Sequence, residues 1–184
     1  DITTDQYFTT MVYANGEVKT FGLNNGALGN GVYVDTSNLD AYKRHVYNPT
    51  PVKFILPPGA KAVSSWTTSN GLNPKNANTF VVTSDGRVFG AGSNVTGQLG
   101  IGHIGGGTNG IYPTPQQMLV LGTQGNLASY VRSGYGTTVV YTNNRKVFTV
   151  GNNSNGQLGD DTTTTNPTPR ANKNTNAQRH VKFY

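Results

Sequence analysis

The chain has 184 residues, of which 34% are hydrophobic and 24 are glycine, a composition that favours short strands joined by turns over long helices. It contains no cysteine, which excludes a disulfide framework, a thiolate metal site and a cysteine nucleophile. Its 14 basic and 8 acidic residues give a formal net charge of +6, but the basic residues are scattered, so nucleic-acid binding is not expected. The lack of a long apolar run predicts no membrane span.

Three β-hairpins are predicted in chain order, each with an apolar strand, a tight turn and a second strand. They occupy residues 8–29, 79–100 and 137–159, with turns at Asn15-Gly16, Asp85-Gly86 and Asn143-Asn144. Asn-Gly and Asp-Gly supply the positive φ angles that a two-residue hairpin turn requires. The hairpins are therefore predicted to be antiparallel and to close with two-residue turns.

Further short strands are predicted ahead of the second and third hairpins. Residues 52–56 (VKFIL) and 62–66 (AVSSW) precede the second hairpin, and residues 118–121 (MLVL) and 128–133 (ASYVRS) precede the third. Because repeated four-stranded antiparallel sheets are typical of β-propeller blades, we predict an all-β fold of about three blades that form an incomplete ring. The blades are expected to form one domain, 1–184, with copies at about 7–52, 53–116 and 117–170, and with 171–184 beginning a further strand.

A glycine-rich loop closes each hairpin. The loops are GLNNGALG at 22–29, GSNVTGQLG at 92–100 and GNNSNGQLG at 151–159, and each is followed by Pro-Thr-Pro. We interpret the glycines as positions where a side chain would clash, so that the loop is structural rather than a ligand loop. The structural positions of the motif are Gly22, Asn24, Gly26, Gly29, Gly92, Asn94, Gly97, Gly100, Gly151, Asn153, Gly156 and Gly159. The leucine of each loop, at positions 28, 99 and 158, is predicted to lie in the core.

This combination of hairpin, GxNxxGQLG loop and Pro-Thr-Pro resembles the regulator of chromosome condensation repeat family over nearly the whole chain. The second and third copies carry every motif residue, whereas the first is one residue shorter and has Ala27 in place of glutamine. Where the family often has tryptophan before the first glycine, this chain has Phe21, Ala91 and Val150. The resemblance implies a β-propeller, usually with seven blades. Members of the family include an exchange factor for a small nuclear GTPase, receptors, inhibitors and secreted binding modules, and no functional residue is carried over from them.

Three blades are too few to close a ring, because propellers close with about four to eight blades. The last residues, 180–184 (HVKFY), resemble the first strand of a blade, and the hairpin near the start of the chain resembles the strand that would follow. The chain is therefore expected to be a segment of a longer propeller, to be completed by copies of itself head to tail or at strand edges, or to form a compact incomplete propeller.

Catalytic and metal sites are not predicted. The three histidines, His45, His103 and His180, have no acidic residue at metal-ligand spacing, and no serine lies in a nucleophile elbow. Asp160-Asp161 could bind calcium, but a solvated turn is the favoured interpretation. The sequence therefore predicts a protein that is not an enzyme and has no cofactor.

The links between blades differ in length, and the longest carries the candidate binding residues. It runs from Gly29 to Pro49 and is rich in the residue types that protein-recognition surfaces favour. The candidates are Tyr33, Tyr42, Lys43, Arg44, His45 and Tyr47. The alternative is that this loop folds onto its own blade. A second insertion, residues 67–78, is polar and is predicted to be flexible rather than functional.

The main functional hypothesis from sequence is a non-enzymatic protein-interaction or surface-assembly module of the adhesin, pilus or filament type. A surface rich in Asn, Thr, Gly and Tyr but poor in Lys and Glu favours an extracellular or cell-surface location for it. The family resemblance supports an alternative, a regulator of a small GTPase of the guanine-nucleotide exchange type. A secreted protein inhibitor is a second alternative.

Overall fold

The structure is a computed structural model that describes residues 1–34, 47–70, 73–123 and 125–172. Across these ranges the chain forms twelve β-strands and no helix. The first sheet contains β1 (Ile2–Thr4), β2 (Phe8–Val12), β3 (Val18–Leu23) and β4 (Tyr47–Lys53). The middle sheet contains β5 (Ala62–Asn70), β6 (Asn73–Thr83), β7 (Val88–Ser93) and β8 (Ile111–Gln117). The third sheet contains β9 (Ala128–Gly134), β10 (Thr137–Thr142), β11 (Val147–Gly151) and β12 (Asn166–Ala171).

Each sheet is an antiparallel meander whose strands lie side by side in chain order. This confirms the predicted fold class, three four-stranded propeller blades that make an incomplete ring. The first sheet takes its first strand from residues 2–4, which pair with β2. The C-terminal strand predicted at 180–184 lies outside the described residues.

The fourth strand of every blade is the Pro-Thr-Pro segment, which the sequence interpretation missed. In the first blade Thr20 pairs with Val52 and Gly22 pairs with Asn48, so residues 49–51 bulge opposite a single residue, Phe21. The same shift places residues 113–115 opposite Ala91 and residues 167–169 opposite Val150. Proline cannot donate to a strand ladder, and an edge strand with a bulge accommodates it. The strand predicted at 52–56 therefore ends at Lys53, and residues 118–121 form no strand.

The turns of the β2–β3, β6–β7 and β10–β11 hairpins have three residues instead of the two predicted. In the first hairpin the N–H of Tyr13 donates to Glu17 and the N–H of Gly16 donates back to Tyr13. Gly16 has a φ of 83° and Gly86 a φ of 76°, which is the left-handed residue of a three-residue turn. In the third hairpin that position is Arg145, with a φ of 67°, and not Asn143-Asn144 as predicted.

The middle sheet is packed on both faces. Residues 77–83 of β6 are all buried. Val81 packs with Val12 and Val18 of the first sheet, while Phe80 packs with Val140 of the third. The strands β2 and β10 instead alternate buried and half-buried residues, as expected for a strand with one face against a neighbouring sheet.

Backbone hydrogen bonds join successive blades at their first strands. The N–H of Ala62 donates to the carbonyl oxygen of Gly16 at 3.0 Å, and the N–H of Ala128 donates to that of Gly86 at 2.9 Å. Each blade thus begins on the hairpin turn of the preceding blade. The insertion at 67–78, predicted to be flexible, continues β5 and β6 as a paired hairpin in which Thr68 lies opposite Asn78.

Candidate functional site

The three glycine loops leave β3, β7 and β11 at one end of the sheets, which we call the loop face. In the described chain the loop face consists of residues 24–34, 94–110 and 152–165 and of the turns after β1 and β9. The first loop contacts the middle blade, since the N–H of Gly31 donates to the carbonyl oxygen of Pro113 in β8 at 3.0 Å. The exposed apolar side chains of the loop face are Val32, Tyr47, Val95, Ile104 and Tyr135.

A fully buried asparagine organises the second loop. The Oδ1 atom of Asn94 accepts a hydrogen bond from the N–H of Leu99 at 3.2 Å. Its Nδ2 atom donates to the carbonyl oxygens of His103 at 2.9 Å and Gly105 at 3.0 Å. One side chain therefore satisfies three backbone groups inside an irregular loop, where no strand partner is present to do so. The neighbouring leucine is buried, as predicted, and so are its counterparts Leu28 and Leu158.

The same arrangement recurs in the third loop and is incomplete in the first. Asn153 accepts from the N–H of Leu158 at 2.9 Å, and its Nδ2 donates to the carbonyl oxygens of Thr162 and Thr164 at 3.0 and 3.2 Å. Asn24 is just as buried, but its Oδ1 has no hydrogen-bond partner among the residues that the structure describes. The first loop is one residue shorter, and it brings no described N–H group to this acceptor.

Two motif glycines permit a close approach of the backbone. Gly92 and Gly151 have φ angles of 105° and 106°, a conformation that favours glycine. A Cβ atom at Gly92 would meet the carbonyl oxygen of Ala77, and one at Gly151 would meet the carbonyl oxygen of Gly136. The latter Cβ would also lie 3.2 Å from the Cα of Gln98, which belongs to the neighbouring blade. Gly151 thus makes room for the junction of the middle and third sheets.

A polar cleft of about 420 Å³ opens on the loop face at this junction. Its size falls within the range of about 300–1,000 Å³ that is typical of ligand sites. Five carboxamide side chains line it: Asn76, Gln98, Asn152, Asn155 and Gln157. Val95 and Tyr135 add apolar surface, and none of the described lining residues carries a charge. The described lining residues can therefore offer a ligand hydrogen bonds and ring contacts, but no ion pair.

Gln98 ties the cleft to both sheets. Its side chain is 1% exposed, and its Oε1 accepts from the N–H and the hydroxyl group of Thr96 at 2.9 and 2.8 Å. Its backbone carbonyl oxygen accepts from the hydroxyl group of Thr138 in β10 at 2.9 Å. The glutamine of the GQLG motif therefore belongs to the wall of the cleft as well as to the scaffold, which the sequence interpretation did not foresee.

The turn between β9 and β10 forms the opposite wall. Tyr135 and Gly136 both have positive φ angles, 50° and 79°, as a two-residue hairpin turn of the primed type requires. The carbonyl oxygen of Gly136 accepts from the hydroxyl group of Thr96 and from the N–H of Asn152, each at 2.9 Å. Tyr135 is 79% exposed. A tyrosine flanked by two glycines at a hairpin tip was the available sequence signal for this residue.

The structure brings together only part of the predicted binding loop. Tyr33 is half-buried and Tyr47, at the start of β4, is 56% exposed, both at the loop face of the first sheet. The other candidates, Tyr42, Lys43, Arg44 and His45, lie outside the described residues. The loop face thus holds Tyr33 and Tyr47, whereas the described residues of the cleft belong to the other two blades.

Asp160 and His103 of the loop face each form hydrogen bonds with neighbouring residues. The Asp160 carboxylate accepts from the N–H and hydroxyl group of Thr162 and from Asn153, and the Thr162 hydroxyl lowers the pKa of Asp160 most. The His103 ring lies 2.8 Å from the hydroxyl group of Tyr112. In the described chain, no three His, Asp or Glu side chains cluster as a metal site would require. Within the same residues, no helix has the length and apolar character needed to cross a bilayer.

The opposite end of the sheets is basic. Its cationic residues are Lys19, Lys53, Lys61, Arg87, Arg145 and Lys146, and its acidic residues are Asp1, Glu17 and Asp85. Arg87 forms an ion pair with Asp85 at 2.7 Å, and hydrogen bonding to Arg87 is the main cause that lowers the pKa of Asp85 to about 2. The two ends of the blades therefore differ, because the described part of the loop face carries Asp5, Asp160 and Asp161 and no Lys or Arg.

Comparison with known proteins shows which family this fold resembles. The chain is 31% identical over 152 residues, 82% of its length, to the X-linked retinitis pigmentosa GTPase regulator of Mus musculus. It is 39% identical over 79 residues, 43% of its length, to the Secretion-regulating guanine nucleotide exchange factor of Bos taurus. Its fold superimposes with a TM-score of 0.73 on Prp20p of Saccharomyces cerevisiae, which is yeast RCC1, covering 96% of this chain at 15% identity. The chain belongs to the regulator of chromosome condensation repeat family.

The family relationship concerns a small part of each relative. The chain spans 13% of the mouse regulator, 16% of the bovine exchange factor and 38% of the yeast structure. No protein-family model matches it. The relatives and the solved structure confirm the predicted repeat family.

Two sequence-based predictions are wrong, the adhesin or pilus function and the extracellular location. The relatives are named as a GTPase regulator and a guanine nucleotide exchange factor, and the yeast structure was described with binding to Gsp1p and histones, which are not surface-assembly partners. The Asn, Thr and Gly content that suggested a secreted protein has a structural cause in these repeats. Asn94 saturates a loop backbone, and the hydroxyl group of Thr149 donates to the carbonyl oxygen of Leu158.

Proposed function

We propose that the chain is part of a regulator of a small GTPase, of the guanine-nucleotide exchange type, and that it contributes a surface that binds the GTPase. The observation that carries the proposal is the 31% identity over 82% of the chain to a GTPase regulator. The similarity of part of the chain to a guanine nucleotide exchange factor supports the same function. Because such a regulator acts on a GTPase inside the cell, we place the chain there too.

Nucleotide exchange requires no acid, base or metal from the regulator. Binding free energies are reciprocal, so a protein that prefers the nucleotide-free GTPase lowers the affinity of the GTPase for nucleotide by the same factor. A preference of about 4 kcal/mol corresponds to a thousandfold weaker nucleotide affinity. An extended protein-binding surface on a rigid scaffold can supply this preference. The blades provide such a scaffold, since hydrogen bonds from Ala62 and Ala128 tie each blade to the one before.

The loop face is the surface that we propose for the GTPase. Loops on a rigid scaffold carry function more often than the scaffold does, and the loops here differ while the sheets repeat. Val32 and Tyr47 are 50% and 56% exposed at the loop face of the first sheet. The proposal also includes the predicted binding residues Tyr42, Lys43, Arg44 and His45, for which the sequence is the only support. Aromatic and apolar anchors of this kind dominate the energetics of protein interfaces.

The direct test is the release of a fluorescent guanine nucleotide from a panel of purified small GTPases, with the chain at micromolar concentration. We expect faster release from at least one GTPase and a stable complex with its nucleotide-free form. The double variant Val32→Ala/Tyr47→Ala should weaken that complex. The matched control is Tyr13→Ala/Val63→Ala, which removes two side chains of 42% and 52% exposure outside the loop face.

Two results would contradict the proposal. One is a panel in which no GTPase binds and no release rate changes. The other is equal loss of binding in both double variants, which would mean that the loop face is not the contact surface. The mass of the chain alone in solution tests separately whether copies of the chain associate through their strand edges.

A further inference from the structure

We propose that the cleft between the middle and third sheets binds an extended, uncharged peptide segment of a protein partner, whose backbone carbonyl oxygens accept hydrogen bonds from side-chain NH₂ groups of the cleft. The proposal is independent of GTPase regulation, because it concerns the recognition of a peptide and not the release of a nucleotide.

Three side chains of the cleft have NH₂ groups that donate to no described residue. The Oε1 of Gln98 accepts from the N–H of Thr96, and the Oδ1 of Asn152 accepts from the N–H of Ser154 at 3.1 Å. In the same way, the Oε1 of Gln157 accepts from the N–H of its near neighbour at position 155, at 2.8 Å. Because a backbone N–H can only donate, the atom that faces it must be the oxygen, which fixes the orientation of all three carboxamides. No described residue accepts a hydrogen bond from their three NH₂ groups.

Gln98 is the strongest indication of a ligand. The residue is 1% exposed, its Oε1 is engaged by Thr96, and no described residue accepts from its NH₂ group, so this donor is left to the cleft. Its side chain lines the cleft, so a ligand oxygen placed there would meet this donor. Asn152 is half-buried and Gln157 is exposed, which extends the row of donors from the depth of the cleft to its rim.

The free NH₂ groups of the cleft favour a ligand that carries hydrogen-bond acceptors. Sugar hydroxyl groups both donate and accept, but three of the five lining carboxamides, Gln98, Asn152 and Gln157, have oxygens that backbone N–H groups already engage. Phosphate groups in proteins are held by Arg or Lys, and none of the described lining residues is cationic. Peptide carbonyl groups are neutral acceptors, which suit neutral NH₂ donors beside an exposed tyrosine.

Tyr135 gives the peptide an apolar contact. Its ring is 79% exposed beside Val95, which is 43% exposed, and tyrosine provides contact area at a low cost in conformational entropy. Its φ of 50° is unusual for a bulky residue, and such backbone strain concentrates at functional sites. Asparagine or glycine would suit this turn position better, so tyrosine at this position lowers the free energy of unfolding.

The test uses the full chain labelled with ¹⁵N and the side-chain NH₂ signals of Gln98, Asn152 and Gln157 in NMR spectra. The probe is a set of uncharged hexapeptides, acetylated at the N-terminus and amidated at the C-terminus. Maltose and inorganic phosphate are titrated in parallel as a neutral sugar and an anion. We expect peptides to shift all three NH₂ signals, with a smaller response to maltose and none to phosphate.

Variants that keep the fold and change the donors complete the test. Gln98→Glu and Asn152→Asp retain the oxygen that accepts from Thr96 or Ser154 but replace the NH₂ group by an acceptor, so peptide affinity should fall about tenfold. Tyr135→Ala should also weaken binding. Gln117→Glu is the matched control, since it makes the same change at an exposed position of β8 outside the cleft, and it should bind the peptide normally. Peptides that leave the three signals unmoved, a stronger response to maltose or phosphate, or equal losses in the Gln117→Glu control would overturn the proposal.

Discussion

Replacing the loop asparagines by alanine tests how much their hydrogen bonds stabilise the fold. It compares an asparagine whose side chain binds three backbone groups of its loop with one whose side-chain oxygen has no partner in the described chain. Asn94→Ala removes three hydrogen bonds to backbone groups, those of Leu99, His103 and Gly105. At about 1 kcal/mol for each bond, the free energy of unfolding should fall by about 3 kcal/mol. For a protein of this size each kcal/mol lowers the melting temperature by about 2–4 °C, so the expected shift is about 6–12 °C.

Asn24→Ala is the matched control in the first copy of the motif. Asn24 is 2% exposed, but its Oδ1 already lacks a partner in the described chain, so its removal also removes an uncompensated desolvation cost. We therefore expect a change in the free energy of unfolding within about 1 kcal/mol of zero. Asn153→Ala should behave like Asn94→Ala, because Asn153 binds the backbone of Leu158, Thr162 and Thr164.

Urea and thermal unfolding, followed by circular dichroism, measure the three variants under one buffer. The dependence of unfolding free energy on urea should stay unchanged, since the surface exposed on unfolding is the same. Equal destabilisation by Asn24→Ala and Asn94→Ala would refute the reasoning, because it would mean that burial alone, and not the saturation of backbone groups, determines the effect.

Three further predictions concern strain, close packing and pH. Tyr135→Asn should raise the free energy of unfolding by about 1 kcal/mol in urea melts, because asparagine tolerates positive φ, while it weakens peptide binding in the NMR titration. Gly151→Ala should destabilise the fold by more than about 2 kcal/mol, since its Cβ would meet the Gly136 carbonyl, whereas Gly59→Ala, with open space around its Cβ, should cost about 1 kcal/mol. Because folding lowers the pKa of Asp85 from 3.8 to about 2, its small stabilisation is present above pH 4 and lost as the pH falls towards 2. The stability difference between wild type and Asp85→Asn should therefore shrink over that interval.

Repetition made the blades predictable, because each strand signal occurs three times and a chance match in one copy is corrected by the others. The outer strand was missed for a physical reason. Proline argues against a strand in isolation, and only the pairing of Thr20 with Val52 and of Gly22 with Asn48 shows that residues 49–51 bulge out of an edge strand. The turn at Arg145 was misplaced because a non-glycine residue adopts the left-handed conformation there.

The cleft could not be predicted from the motif, because two buried carboxamides of the same loop form different contacts in the fold. Asn94 and Gln98 both belong to the GSNVTGQLG loop, and both are buried. The carboxamide of Asn94 is saturated at both ends by its own loop, whereas that of Gln98 is bound only through its oxygen. Gln98 lies where the next blade approaches, since its backbone carbonyl accepts from the hydroxyl group of Thr138 in β10, and the cleft lies beside its side chain. A sequence motif specifies the loop, but the contact between blades decides which of its polar groups remain available to a partner.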